Sequence, residues 1–277
     1  MTKRFFPLFL SAALALPALA DDFGIWSGTA VQKSLGHRFS VDASLGFRAQ
    51  DKLRQATRWD MAVGADYDLT SWLSVGAGYT YIYGRKGEEA KTDFNKSGAF
   101  NGYNVDHGYW RSRHRATVDL TGKWRVGRFT LGIRERYQFT HYNAASTLRD
   151  RYRQEIPEGM ADSWTGDKFT YGGKTFGRHT LATDDKPAKD RHLLRSRFGI
   201  DYNIHHCPFT PYATFEFHND LQEGLDLDKT RLTLGTEWKI SKHHRLDLAY
   251  VMQNSHDSDD NDNGLLHALS VSYKFKF

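Results

Sequence analysis

The final stretch of the chain, Leu265 to Phe277, constrains its fold more than any other. It reads LLHALSVSYKFKF, with Leu265, His267, Leu269, Val271, Tyr273, Phe275 and Phe277 on one parity and Ala268, Ser270, Ser272, Lys274 and Lys276 on the other. A period of two sustained over this length marks a β-strand with one apolar and one polar face. Such a strand, rich in aromatics and ending on a carboxyl-terminal Phe, fits the closing strand of a bacterial outer-membrane barrel. In that reading the Phe277 end is what the outer-membrane assembly machinery engages.

The amino-terminal end points the same way. Lys3 and Arg4 precede an apolar run from Phe5 to Leu19, and Ala18-Leu19-Ala20 places small residues before Asp21. This is the pattern of a secretory signal peptide over residues 1–20, cleaved near Ala20. Residues 21–277 then form one outer-membrane β-barrel, since no linker sets off a second domain. Past the leader no segment approaches the ~20 consecutive apolar residues of a membrane helix. A closed barrel is the other structure that satisfies every backbone group in lipid. A hydrophobic content of 39% suits that option, because only alternate residues of each strand meet lipid. Without Lys3 and Arg4 the net charge of +5 falls to about +3, which is no nucleic-acid signature. The single cysteine, Cys207, excludes an internal disulfide and cysteine-rich zinc motifs.

The alternation recurs along the chain. Phe39, Val41, Ala43, Leu45 and Phe47 alternate with Ser40, Asp42, Ser44, Gly46 and Arg48, and Trp59, Met61, Val63, Ala65 and Tyr67 with Asp60, Ala62, Gly64 and Asp66. Leu73 to Tyr83 carries the next apolar face, ending in the ladder Tyr79, Tyr81 and Tyr83. Further strands follow around Val118, Leu131, Ile200, Phe215, Leu234 and Leu248. Glu135 falls on the apolar parity of its strand, which calls for a bulge or a different strand assignment. The segment from Gly84 to about Gly108 is too hydrophilic to cross lipid. The stretch from Tyr142 to Asp190 reads as irregular apart from a small hairpin near Gly172-Gly173. Connections at Gly36, Thr70, Val126, Cys207 and Ser241 are short and those at Asp51, Arg85, Tyr142, Asp220 and Ser255 longer, the asymmetry of periplasmic turns and outer loops. A soluble up-and-down barrel has the same period with the apolar parity turned inward. Strand length, loop asymmetry, the tyrosine ladder and Phe277 favour the membrane.

The predicted fold is therefore all-β, a transmembrane antiparallel up-and-down barrel of 10–12 strands in the outer membrane of a Gram-negative bacterium. About eleven strands can be counted, whereas bacterial barrels of this kind have an even number. Either the segment from Ile25 to Leu35 enters the lumen and ten strands form the wall, or a further turn makes twelve. Phe23-Gly24-x-Trp26 soon after a leader, a second strand ending Leu45-Gly46-Phe47-Arg48, Tyr-rich strands and a terminal Phe resemble the family called domain of unknown function 2490. The resemblance implies a bacterial outer-membrane barrel and no defined activity.

The polar parity sends Arg48, Arg111, Arg113, Arg115, Arg134, Arg136, Arg195, Arg197 and Arg231 inward, together with Asp60, Asp119, Asp201, Glu237 and other carboxylates. Rings of arginine select anions; ion pairs also fill a narrow lumen, where buried charges need partners. Both readings give a non-enzymatic barrel, a narrow porin-like channel or a structural or binding protein of the surface, with no catalytic residues. The alternative is a hydrolase acting on lipid or lipopolysaccharide, for which His114 and His141 are the candidates near the outer rim. The loop DSDDNDNG supplies Asp257, Asp259, Asn261 and Asn263 as candidate calcium ligands, although an EF-hand fails because its twelfth position is Ser270. No other cofactor is expected. The expected partners are the lipid bilayer, lipopolysaccharide and the assembly machinery, with no nucleic acid.

Overall fold

A computed structural model describes residues 22–51, 53–256 and 264–277. The leader at 1–20 and the candidate calcium ligands Asp257, Asp259, Asn261 and Asn263 lie outside the described residues. The strands, in chain order, are β1 (Asp22–Ser34), β2 (Phe39–Gln50), β3 (Gln55–Asp68), β4 (Leu73–Lys86), β5 (Glu89–Phe94), β6 (Phe100–Asp106), β7 (Tyr109–Val126), β8 (Phe129–Tyr142), β9 (Ala145–Ile156), β10 (Phe169–Tyr171), β11 (Lys174–Lys186), β12 (Lys189–Tyr202), β13 (Phe209–Asp220), β14 (Asp226–Lys239), β15 (His244–Ser255) and β16 (Gly264–Lys276). They form a closed barrel in the order β1-β16-β15-β14-β13-β12-β8-β7-β4-β3-β2 and a separate sheet in the order β10-β11-β9-β6-β5. The chain divides accordingly into two compact units, the second made of Arg85–Arg111 and Asn143–Lys189.

Among the described residues the wall has eleven strands, within the expected 10–12, so the odd count stands and neither ten nor twelve is needed to even it. The segment expected in the lumen is β1, paired antiparallel with β2 and parallel with β16 from Asp22↔Leu266 to Gln32↔Lys276. Parity forces that parallel seam. When strands alternate in direction, the first and last of an odd set point the same way, and they close the barrel only by running parallel.

Period two becomes two solvents. Trp59, Met61 and Val63 on β3 are each more than half exposed, and Leu45, Val118, Leu120, Ile200, Leu234 and Val271 stand out from the same outer parity. An apolar belt of that extent on a soluble protein would be an aggregation surface; against lipid it is the matching face. The inner parity carries small and charged residues in alternation across neighbouring strands. A Cβ on Gly46 would stand 2.6 Å from Asp60 Oδ1, and one on Gly64 2.8 Å from Asp42 Oδ1, so these glycines make room for carboxylates. The turns at Gly36 and Gly127 need glycine for another reason, φ of 87° and 61°, which other residues adopt only at a cost.

Two local expectations change. The register of β7 with β8 runs without a shift through Leu120↔Glu135, so no bulge occurs there. Glu135 keeps its place on the outer parity because Ser196 Oγ of β12 donates to its carboxylate at 2.7 Å. The connection after β2 spans only residues 51–54, as short as the one after β1 at 35–38, so it adds nothing to the loop asymmetry.

The second unit corrects the reading of 142–190 as irregular, while the hairpin expected near Gly172-Gly173 is β10–β11. Its five strands pair antiparallel around β9, flanked by β6 and β11. One face gathers aromatics from different strands: Phe176 is fully buried, Tyr103 packs edge-on against Tyr171 and Phe176, and the rings of Tyr152 and Tyr171 stack at 4.9 Å. Its carboxylates are locked by cations. Asp106 accepts from Arg149 at 2.5 Å and from Lys186 at 2.6 Å. Burial pushes its carboxyl up, but those two bonds outweigh burial and hold it at about 2. Asp150 takes a ring N–H from His107 at 2.6 Å and from His179 at 2.8 Å. Burial again pushes up, and the paired imidazoles hold this carboxyl below its ordinary range.

Candidate functional site

The barrel lumen holds its charged side chains where the inner parity puts them, and their pairing follows from register. Glu216 of β13 lies opposite Arg197 on β12 and Arg231 on β14. Its two oxygens accept from Arg134 at 3.0 Å, Arg195 at 3.1 Å and Arg231 at 3.4 Å, with Arg197 at 3.9 Å and His218 at 3.5 Å completing the ring. Arg136 forks onto Asp119, its register partner across the β7–β8 pair. Arg58 bonds Asp60 at 2.8 Å, and Arg191 bridges Asp220 at 2.8 Å and Asp228 at 2.9 Å.

These groups enclose a cavity of about 190 Å³ inside the barrel unit. Arg48, Arg58, Arg115 and Arg136 line it from β2, β3, β7 and β8, and Arg191, Arg195, Lys229 and Arg231 from β12 and β14. Among the described residues, two lining carboxylates, Asp60 and Asp228, stand against these eight cations, with Thr80, Thr117, Thr140 and Gln138 among the neutral groups. Trp26 of β1 closes one side of the network. Its ring is faced by the Arg48 guanidinium at 4.0 Å and the Arg231 guanidinium at 5.0 Å, an arrangement in which each cation meets the negative face of the indole. Trp26 and Arg48, the two positions that carried the family resemblance in the sequence, are thus one physical contact.

Most residues expected on the inner parity meet here. Arg48, Arg115, Arg136, Arg195, Arg231 and Asp60 line the cavity, while Arg134, Arg197 and Asp119 join through Glu216 and Arg136. Arg113 is buried in the barrel unit just behind the lining, its guanidinium 5.2 Å from the ring of Tyr142, which lines the cavity. Asp201 and Glu237 also lie off the lining; Glu237 is taken by Arg245 at 2.5 Å. Arg111 is corrected outright. It belongs to the second unit, where it donates to the carbonyls of Asn143 at 2.6 Å and Pro187 at 2.5 Å. The residues passed over are Arg58, Arg191, Lys229, Asp228 and His218, whereas the hub Glu216 is one of the carboxylates that the inner parity predicts. Arg191 shares the parity of Arg195, and Lys229 that of Arg231, so extending each strand by one turn of the pleat beyond its apolar face would have found them.

The histidines proposed for hydrolysis have other bonds. His114 pairs through Nδ1 with Tyr79 Oη at 2.7 Å, and His141 through Nδ1 with Asp190 at 2.6 Å. Similar tyrosine–histidine pairs join neighbouring strands at Tyr137–His192, Tyr250–His267 and Tyr273–His244. Across the described residues no group of three His, Cys, Asp or Glu is arranged to hold a metal ion.

The family described as "Protein of unknown function (DUF2490)" matches residues 23–264. No curated protein matches the chain. Among solved structures, the chain is similar to the β domain of the Bordetella autotransporter BrkA, at 9% identity and a TM-score of 0.43 over 87% of this chain and 81% of that one. It is also similar to the CymD monoaromatic hydrocarbon channel, at 11% identity and a TM-score of 0.29 over 84% and 82%.

Proposed function

Because this chain belongs to the DUF2490 family, whose description assigns no activity, we propose its role from the barrel itself: a non-enzymatic outer-membrane barrel whose lumen is a narrow passage for small anions. In this reading residues 1–20 are removed on export across the inner membrane of a Gram-negative cell. The apolar belt then meets lipid and lipopolysaccharide, and the Phe277 end is engaged during assembly. The observation that carries the reading is the lining of the lumen cavity, eight cations against two carboxylates among the described residues. A lumen walled by low-dielectric lipid focuses that charge, raising the local concentration of anions and excluding cations. Narrowness follows from the Glu216 ring, which draws guanidiniums from β8, β12 and β14 onto one carboxylate.

The test is ion efflux from liposomes carrying the purified barrel. Chloride efflux should exceed potassium efflux, and Arg48→Ala or Arg115→Ala should reduce the difference without preventing insertion. Equal leakage of both ions, unchanged in the variants, would refute the reading.

A further inference from the structure

We infer that the outer rim of the apolar belt is a docking surface for the phosphate groups of lipopolysaccharide, with His114, His192 and His267 as the hydrogen-bond donors. This rests on the reading of the belt as lipid-facing and deepens it by naming the headgroup chemistry; conduction through the lumen does not enter.

The first ground is a repeated contact. Three tyrosine–histidine pairs join neighbouring strands of the wall: Tyr79 of β4 with His114 of β7, Tyr137 of β8 with His192 of β12, and Tyr250 of β15 with His267 of β16. In each pair the phenolic oxygen meets Nδ1 of the imidazole, at 2.7 Å in the first two. The pairs stand on the outer parity, where Tyr79 and Tyr137 are exposed. All three lie toward the end away from the short turns: His114 follows the start of a barrel segment at Ser112, His192 that at Asp190, and His267 the start of β16 at Gly264. Further along the same strands the outer parity presents Val118, Phe198 and Val271. The pairs therefore mark the depth at which hydrocarbon gives way to headgroups.

The second ground is a difference between the rims. Beside the short turns the outer face carries ring stacks, Trp72 with Trp124 at 5.7 Å and Phe209 with Trp238 at 5.6 Å. Among the described residues Tyr273–His244 is the single tyrosine–histidine pair at that end. Interfacial aromatics account for tyrosine at either rim. They do not account for a histidine held through the same nitrogen three times at one rim, the rim whose leaflet holds lipopolysaccharide.

The third ground is what the tyrosine does to the imidazole. A neutral ring has one donor nitrogen and one acceptor. With the phenol donating to Nδ1, the ring proton sits on Nε2; on protonation Nδ1–H donates back to the phenolic oxygen and Nε2–H remains. Nε2 is then a donor in both charge states. A row of donors complements the acceptor-only oxygens of phosphate, whereas a sugar hydroxyl both donates and accepts. His141 has no part in this, since its Nδ1 already faces the Asp190 carboxylate at 2.6 Å. Nor is a shared metal ion the ligand, because across the described residues no such cluster is arranged to hold one.

The experiment uses the full mature barrel, purified in detergent and freed of bound lipid. Lipid A carrying two phosphates, one or none is added at matched acyl composition. Retained lipids are counted by native mass spectrometry, and the temperature of the heat-modifiable gel shift is followed in parallel. Both should rise with the number of phosphates, retention several-fold between none and two. His192→Phe and His267→Phe should each lower retention of the phosphorylated lipid, and the two combined with His114→Phe should remove the preference. His192→Gln, whose amide N–H stands in for Nε2–H, should keep more of it than His192→Phe. Where a variant does not refold, the comparison of the three lipids on the parent chain decides alone. Equal retention of phosphorylated and dephosphorylated lipid by a barrel that inserts into vesicles overturns the phosphate belt and leaves the membrane reading standing. Complete displacement of the lipid by inorganic phosphate also overturns it, since the site would then take the free ion. A mature chain that stays out of vesicles removes both readings together.

Discussion

Glu216 in the barrel and Asp106 in the five-stranded sheet are both carboxylates with little exposed side chain, 7% and 4%, and both are ringed by cations. Their surroundings differ in arithmetic. Asp106 shares Arg149 and Lys186 with Asp184, two cations between two carboxylates. Among the described residues Glu216 draws Arg134, Arg195, Arg197 and Arg231 onto one carboxylate. A balanced cluster finishes its own electrostatics and acts as a lock on the sheet. In the proposed reading an unbalanced one holds positive potential in the lumen, which is what draws an anion.

The largest effect should come from Glu216→Gln, which removes the carboxylate from four guanidiniums. Breaking a buried charge network of this kind costs about 3–5 kcal/mol, visible as a large drop in the temperature of the heat-modifiable gel shift. Asp106→Asn should cost about 2 kcal/mol, the size of its displacement from the ordinary carboxylate value. Limited proteolysis should show that loss at bonds within 85–111 and 143–189. If Asp106→Asn proves the costlier change, the contrast between the clusters fails.

The same contrast has a pH signature. The Asp106 carboxyl is held at about 2 in the folded protein, below about 3.9 for an unfolded chain. A depressed carboxyl stabilises fully above the unfolded value and loses its contribution as pH falls through the folded one. Protease protection of the second unit should therefore decline between about pH 4 and pH 2, and Asp106→Asn should flatten that decline. A decline that Asp106→Asn leaves unchanged would contradict this assignment.

Smaller effects refine the lumen side. Trp26→Leu removes the ring shared by Arg48 and Arg231 and should cost about 1–2 kcal/mol, read as a lower gel-shift temperature. The smallest change should be Glu135→Gln. Its amide still accepts from Ser196 on the outer parity, so the gel-shift temperature should move by less than about 1 kcal/mol equivalent and ion selectivity not at all. A change of selectivity in that variant would place the outer-face carboxylate in the conduction path.

What the sequence displayed, it displayed through the wall. Lipid outside and water inside impose opposite demands on adjacent residues, so Trp59 and Asp60, or Phe198 and Arg197, announce their faces by type alone. Arg48, Arg136 and Arg231 were legible on the same ground. Closure was not, because the β1–β16 seam joins the two ends of the chain and no local pattern encodes a parallel partner. The second sheet was hidden for a related reason. Its β9 reads Arg149-Asp150-Arg151-Tyr152-Arg153 with one aromatic among charges, and its core exists only after Tyr103, Tyr171 and Phe176 arrive from other strands. Arg111 was misplaced since β7 continues its alternation past the barrel unit. The cation surplus of the cavity is likewise a property of six strands together.

The most direct measurement is the zero-current potential of the purified barrel in a planar bilayer under a gradient of potassium chloride. The surplus of lumen arginines predicts a potential of the sign set by chloride, shifting toward zero in Arg48→Ala and Arg115→Ala and further in the double variant. A potential of the sign set by potassium, or one that these substitutions leave untouched, would contradict the account.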